Sequence, residues 1–310
     1  MSKKSILLTG GAGFIGSHVA DALLATGHSV VIIDNLSTGV RSNIPENAEF
    51  HNLDIRDSEV GSLFAANSFD AVIHHAAQID VRMSMREPAA DADVNVVGSL
   101  KIMEWCRKYG VKKFIFASTG GSIYGEQDYF PADEKHSARP ISIYGADKLA
   151  VEQYLYVLHV DYGPSVVCLR YGNVYGPRQN PLGEAGVIAI FTNRMLEGEP
   201  VTINGDGLQT RDYTYVGDIA RVNLLALKAR GFSIMNVGNG VETNVVTLYQ
   251  KLNDLTGANQ LHNHGPAQPG EQKRSCLDSR EAQARMNWQP EIGLDEGLKK
   301  TVEWFKIDRG

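Results

Sequence analysis

The chain has 310 residues, a formal net charge of −6 at pH 7 and a charged fraction of 21%. That length can bury a large core, and the acidic balance with no dense Lys/Arg run excludes nucleic acid as the main partner. Cys106, Cys168 and Cys276 form no CxxC pair, so neither a disulfide framework nor a thiolate metal cage is expected, and a reducing cytoplasm fits best. The opening MSKKSILLTG is too short for a secretory signal, and no stretch carries enough consecutive apolar residues to cross a bilayer.

In chain order, apolar runs bounded by turn signals fall at 5–10 (SILLTG), 29–34 (SVVIID), 71–77 (AVIHHAA), 112–118 (KKFIFAS) and 164–172 (PSVVCLRYG). Segments of helical period lie between them, among them 17–27 (SHVADALLATG) and 94–110 (VNVVGSLKIMEWCRKYG). Strands that are apolar throughout and alternate with helices predict an α/β fold, a doubly wound parallel sheet covered on both faces. After residues 171–186 (YGNVYGPRQNPLGEAG) the pattern loosens into a helix at 187–198 and a short strand at 200–205. The expected division is a dinucleotide-binding domain over 1–172, rejoined by about 211–237, and a smaller, discontinuous substrate lobe over 173–310. No internal repeat is present.

The first strand runs into TGGAGFIG, which places Gly10, Gly13 and Gly16 between a strand and a helix. Glycines there allow a tight turn and let the backbone approach a pyrophosphate, whose charge is favoured by the amides and dipole of the helix start. Asp34 follows 18 residues after Gly16, at the end of the next strand. A carboxylate in that place accepts from both adenosine ribose hydroxyls and repels a 2′-phosphate, favouring NAD over NADP, with Arg41 close enough in sequence to matter to that choice. Asp54, in NLDIRD, is open to two readings, an adenine contact or a helix cap.

Tyr144 and Lys148 stand four residues apart at the start of a helix, so both side chains fall on one face. An ammonium near a phenol stabilises the phenolate and lowers its pKa, which would make a general base usable near neutrality. The bland alternative is a surface pair at helical spacing.

Taken with TGGAGFIGSH, DNLSTG, VIHHAA, DVNVVGSLKIMEWC, SIYGADKLAVEQY, LRYGNVYGPRQ, GEAGV, RDYTYVGDIA and PGEQKR, this YxxxK pair makes nearly the whole chain resemble the extended short-chain dehydrogenase/reductase family. The resemblance is closest to the UDP-sugar 4-epimerases. It implies a Rossmann-type fold, NAD, a UDP-hexose substrate and a homodimer joined through a helical bundle. It also implies that Gly10, Gly13, Phe14, Ile15, Gly16, Asp34, Asn35, Ser37, Thr38, Gly39, Asp54, Ile55, Ala76, Ala77 and Asn95 surround NAD. Tyr144 would be the base, and Lys148 would hold the nicotinamide ribose while acidifying the phenol. Asn173 and Arg211 would meet the nucleotide-sugar, and Val187 and the backbone around Ile203 would flank the uridine. The implied reaction oxidises the sugar transiently at C4, turns the 4-keto sugar about its diphosphate bonds and returns the hydride to the other face.

Two places depart from the family pattern, and a third position bears on sugar size. Many relatives carry a hydroxyl residue at the position of Gly120 in STGGSIYG, bonded to the sugar oxygen that loses its proton; here Thr119, the first choice, Ser118 or Ser122 supplies it, or water or Tyr144 alone serves, or the two glycines act by giving the sugar room. Gly120 and Gly121 also lack the carboxylates that dehydratases and decarboxylases of the family place there. Gln268 stands where relatives often place an Arg against the diphosphate, with Lys273 or Arg274 as replacements and Glu271 set to accept from the uridine ribose. Ser275 is small at a position that limits sugar size, which suggests room for an N-acetyl group. Other readings are a UDP-glucuronate 4-epimerase using Arg82, Arg86 or Arg178 as the cation, a simple dehydrogenase, and an inactive nucleotide sensor. His74 and His75 read as core residues satisfying backbone groups, LHNHG (261–265) as a solvated loop with no metal, and Tyr154, Tyr156 and Trp105 as core or subunit contact.

Overall fold

The computed structural model describes residues 3–182, 186–259, 261–267 and 272–307. Five of its strands coincide with the apolar runs, β1 (Ser5–Thr9), β2 (Ser29–Ile33), β4 (Ala71–His74), β5 (Lys113–Thr119) and β6 (Ser165–Tyr171), joined by β3 (Glu49–His51) and β10 (Phe232–Val237). They form one parallel sheet in the order β10-β6-β5-β4-β1-β2-β3. The order reverses between β1 and β4, and a crevice opens beyond the carboxyl ends of strands at such a switch point.

Successive residues of β1 serve opposite cores, which is why the strand is apolar throughout. Ile6 and Leu8 pack under α1 (Phe14–Ala25), α9 (Val216–Ala226) and α11 (Arg280–Met286) with Val19, Ile219 and Ala282. Leu7 packs with Phe64 of α2 (Val60–Ala66), Ile102 of α5 (Ser99–Lys108) and Leu155 of α7 (Ile143–Tyr162). The helical run at 94–110 begins as a π-helical stretch, Asp93–Gly98, before α5. Two short helices, α3 (Val81–Arg86) and α4 (Pro88–Ala92), precede it, and the one-turn α6 (Gly120–Ile123) follows β5. Helix α7 is capped by Ser142, whose Oγ accepts from the Gly145 amide at 3.1 Å, and stops at Gly163 in the left-handed region (φ 74°).

The second lobe holds two small sheets. One joins β7 (Asn173–Tyr175), β9 (Thr210–Tyr215) and β11 (Glu242–Asn244); the other pairs β8 (Val201–Asn204) with β12 (His262–Gly265). Helices α8 (Val187–Glu197), α10 (Val245–Thr256) and α12 (Leu294–Ile307) close over them around Phe191, Ile203, Leu248 and Leu298. The segment 211–237 is divided: β9 stays in the small sheet, whereas α9 packs on α1 and β10 is an outer strand of the large sheet.

Two sequence expectations are corrected. LHNHG is not a solvated loop over its last four residues, because the backbone of His262–Gly265 finds a parallel partner in β8 that polarity alone does not reveal. Tyr154 and Tyr156 are not core; they are about half exposed on the outer face of α7. Among the described residues no helix is long and apolar enough to cross a membrane.

Candidate active site

A cavity of about 660 Å³ opens at the switch point. Its floor is the turn after β1. Gly10 has φ 72°, and a Cβ there would lie 2.6 Å from the Ala76 amide nitrogen; a Cβ on Gly16 would lie 2.1 Å from the Gly10 carbonyl oxygen. Both positions therefore require glycine for close backbone approach. Gly10, Gly13, Phe14, Ile15 and Gly16 line the cavity, which places the amino end of α1 against it.

At the end of β2, Asp34 is nearly buried, accepting from the Ala12 amide at 3.0 Å and the Leu36 amide at 2.9 Å. Two backbone donors, one on each oxygen, hold the carboxylate in place, and Asp34 lines the cavity. Arg41 does not line it; its guanidinium lies over the Phe50 ring, 4.6 Å from the centroid. Asn35, Ser37, Thr38, Asp54, Ile55, Ala76 and Ala77 also line the cavity. Arg56 forks onto Asp54 at 2.7 Å, and that hydrogen bonding brings the Asp54 carboxyl down to about 2, Asn35 adding a bond at 2.9 Å. Gly39 and Asn95 stand behind the wall. A Cβ on Gly39 would come within 2.8 Å of Asp34 Oδ1, and Asn95 clamps Gln78 by accepting from its amide (2.9 Å) and donating to its carbonyl (3.0 Å).

Tyr144 and Lys148, on one face of α7, both reach this cavity. Lys148 Nζ donates to the Ala117 carbonyl at 3.0 Å and lies 4.7 Å from the Phe116 ring centroid and 5.8 Å from that of Tyr144. Burial lowers the Lys148 ammonium to about 8, against the opposing pull of Asp91 and Glu152. The expected acidification of Tyr144 is not found: burial pushes the phenol well above its ordinary value, with the Asp91 charge adding to the rise. Desolvation of the phenolate dominates, and Lys148 sits 5.8 Å from the ring centroid with its own ammonium disfavoured by burial.

The segment 118–125 lies beside them. Ser118, which lines the cavity, donates to Glu152 Oε1 at 2.6 Å. Glu152 is fully buried and receives Arg170 Nε at 2.9 Å and Nη2 at 2.6 Å; Arg170 Nη1 donates to Tyr124 Oη at 2.9 Å. Residues Tyr144, Lys148 and Glu152 form one row on α7, so the buried ion pair sits one turn behind the lysine. Thr119 and Asn173 do not line the cavity, but Thr119 Oγ1 and Asn173 Oδ1 lie 3.9 and 3.6 Å from where a Gly121 Cβ would be. The Asn173 Oδ1 is buried and has no hydrogen-bond partner among the described residues. A Cβ on Gly120 would meet Leu277 Cδ1 at 2.5 Å, so packing from the second lobe occupies the room a hydroxyl residue would need there.

Ser122, Val187, Ile203, Arg211 and Ser275 also lie outside the cavity lining. Val187 opens α8, Ile203 is core, Arg211 Nη1 donates to the Thr210 carbonyl at 2.8 Å, and the buried Ser275 donates its amide to the same carbonyl at 3.2 Å. Gln268 and Glu271 lie outside the described residues. Arg274 is engaged by Glu242 at 2.6 and 2.9 Å and stacks on Phe130.

The histidines differ from expectation in their partners. His74 is held between the Thr9 and Ser99 hydroxyls at 2.7 and 2.9 Å rather than by backbone, since the strand ladder already uses the backbone groups. His75 lines the cavity, 3.2 Å from Tyr171 Oη, and burial brings its pKa to about 3, leaving it neutral. Of the arginines considered for a glucuronate, Arg178 lines the cavity; sequence reasoning missed the cavity residues Gln78, Asp80, Met83, Gln179 and Asn180. The last two sit within the Gly/Pro-rich stretch 171–186, of which the motif LRYGNVYGPRQ had entered only as a mark of family resemblance.

The family model of the NAD dependent epimerase/dehydratase family matches residues 6–238. A putative UDP-glucose 4-epimerase of Methanocaldococcus jannaschii is 46% identical over 301 residues, covering 97% of this chain and 98% of that one. The solved UDP-glucose 4-epimerase of Thermotoga maritima with UDP-glucose superposes with a TM-score of 0.97 at 47% identity, covering 99% of this chain and 100% of that one. The Thermus thermophilus UDP-glucose 4-epimerase with NAD gives a TM-score of 0.92 at 44% identity, over 97% and 99%. The site's glycine turn, the Asp34 carboxylate and the Tyr144/Lys148 pair thus stand in a chain that belongs to the NAD dependent epimerase/dehydratase family.

Proposed function

We propose that the chain is an NAD-dependent isomerase that epimerises a UDP-hexose, UDP-glucose and UDP-galactose first, at C4. The observation that carries this reading is that one cavity gathers the glycine turn, Asp34, Tyr144 and Lys148. The cavity fits NAD: Gly10 and Gly16 leave no room for side chains at the turn, and Asp34 keeps a carboxylate at the wall where a 2′-phosphate would be repelled. Asn35, Ser37, Thr38, Asp54, Ile55, Ala76 and Ala77 would hold the rest of it, with Gly39 and Asn95 supporting Asp34 and Gln78. NAD supplies a hydride acceptor and donor and, when oxidised, a positive charge that opposes the upward pull of burial on Tyr144.

Tyr144 takes the proton of the 4-hydroxyl. Lys148 supplies positive charge from a point fixed by the Ala117 carbonyl. The hydroxyl that orients the sugar is assigned to Thr119, whose Oγ1 shares the space over Gly121 with the unpartnered Asn173 Oδ1, whereas Ser118 has its proton committed to Glu152 and can only accept. Arg211 is the proposed diphosphate partner and Val187, Ile203, Gln268, Glu271 and Ser275 the nucleotide-sugar surroundings, the small Ser275 admitting N-acetylhexosamine forms as secondary substrates. A glucuronate substrate is less well served: of the three arginines considered for it, Arg178 lines the cavity and is already paired with Asp21 at 2.7 Å. The protein is proposed to work in the cytoplasm as a homodimer joined through the exposed apolar face of α7, Tyr154, Val157 and Val160.

The test is to incubate the purified protein with UDP-galactose, without added cofactor, and to chromatograph the sugar nucleotides. UDP-glucose without net NADH supports the reading. Net NADH makes the protein a dehydrogenase, and no change with any UDP-sugar makes it a sensor.

A further inference from the structure

Phe14 and Ile15, in the first turn of α1, line the cavity. The same helix face continues through His18 and Asp21, at spacings of four and three residues that keep side chains in one row. Neither of these two residues touches the cavity, and both reach across to the segment Gly176–Leu182, which leads into the second lobe. His18 Nε2 lies 2.9 Å from the Pro177 carbonyl oxygen, and because burial lowers its pKa the neutral ring donates. Asp21 Oδ2 accepts from Arg178 Nη1 at 2.7 Å.

The residues just past this double contact, Arg178, Gln179, Asn180 and Leu182, line the cavity that Gly10, Gly13 and Gly16 also line. Their backbone is held in an unusual shape. Gly176 has φ 150° with no room for a Cβ beside Val216, and Arg178 has φ 66°, which a non-glycine residue keeps only where its surroundings fix it. Gln179 is tied back to the Val174 carbonyl through Nε2 at 3.2 Å, and its Oε1 is buried with no partner among the described residues. The side-chain tether from Gln179 to Val174 of β7 and the two polar contacts of Pro177 and Arg178 with α1 thus hold the segment at the wall of the cavity.

We propose that His18 and Asp21 are positioning residues that clasp the segment Gly176–Leu182 as a strap over the bound dinucleotide and so set the rate at which it leaves. The proposal rests on the assignment of the cavity to NAD. It gives the strap a purpose: an enzyme that must return the hydride it has taken needs a cofactor that stays between the two transfers.

The test uses the holoenzyme as purified. NAD release is followed by rapid desalting at timed intervals and quantification of the nucleotide retained, for wild type, Asp21→Asn, His18→Ala, His18→Gln and the Asp21→Asn/His18→Ala pair. One partly exposed ion pair and one hydrogen bond are each expected to change the release rate by about two- to fivefold, and the pair of changes by about four- to twenty-five-fold. His18→Gln keeps an Nε donor and should restore most of the slow rate. Added salt should hasten release from wild type and not from Asp21→Asn, a difference that mere loss of stability would not produce. Release from the double variant within twofold of wild type, or an equal salt effect in Asp21→Asn, overturns the strap while leaving NAD in its cavity. A protein that neither carries nor takes up NAD overturns the cavity assignment and the strap with it.

Discussion

Replacing Gly120 by serine would introduce the hydroxyl that the family resemblance implies at this position, and the surrounding packing opposes it. Gly120 is not in the left-handed region, so the backbone itself tolerates a side chain. The obstacle is Leu277, whose Cδ1, Cδ2 and Cγ would lie 2.5, 2.8 and 3.2 Å from the new Cβ. Leu277 is fully buried with Tyr124 and Ala132, and its amide donates to Asp212 at 3.1 Å, so its side chain can give way only by disturbing that packing. Overpacking of this kind costs about 1–3 kcal/mol. Leu277→Ala alone leaves a cavity and costs about 2–5 kcal/mol. In the double variant the serine occupies part of that cavity, so the combined loss should fall short of the sum by about 1–3 kcal/mol. Urea unfolding of the four proteins gives the coupling directly. A Gly120→Ser protein with the wild-type midpoint, or strictly additive losses, refutes the packing argument and would return the Gly120 position to the chemistry.

Other outcomes follow from the same contacts. Removing Glu152 alone strands a buried Arg170 and should cost about 3–5 kcal/mol, as should Arg170→Met, whereas Glu152→Leu with Arg170→Met should regain most of it in denaturant titrations. Lys148→Met should lower turnover about 10²- to 10⁴-fold yet stabilise the NAD-free protein. Its folded pKa, about 8, lies below the unfolded 10.5, so the unfolded chain holds the extra proton between those values and the lysine's penalty is full below pH 8 and gone above pH 10.5. The shift sets that gain at roughly 3 kcal/mol near pH 7. Asp147, pushed up to about 7 by burial and by Asp91, loses stability as pH rises from 3.8 to about 7, so Asp147→Asn should melt above wild type at pH 8 and with it at pH 4. Asp34→Ala should weaken NAD by about 1.5–3 kcal/mol, roughly 10- to 150-fold, and narrow its advantage over NADP in equilibrium binding.

The large sheet was legible because its strands are buried on both faces and read as uninterrupted apolar runs between helical periods. The glycine turn, Asp34 and the Tyr144/Lys148 row were legible because each depends on spacing within one or two elements. What sequence did not carry is whatever depends on contact between distant segments. Leu277 filling the space over Gly120, Glu152 behind Lys148 with Arg170 of β6, and the 178–182 segment at the cavity wall all join residues from separate parts of the chain. The strand at His262–Gly265 was hidden for the same reason, since its polar side chains conceal a backbone partner in β8. The pKa of Tyr144 was misjudged because spacing reports the neighbouring charge and not the desolvation that opposes it.

The most direct test of the account is turnover of UDP-galactose by Tyr144→Phe, measured beside its bound NAD content. Loss of the phenolic oxygen should cut epimerisation by about 10²- to 10⁴-fold while leaving NAD in place, since only the proton acceptor is removed. Turnover within tenfold of wild type, with NAD still bound, would contradict the claim that this phenol is the base at the dinucleotide cavity.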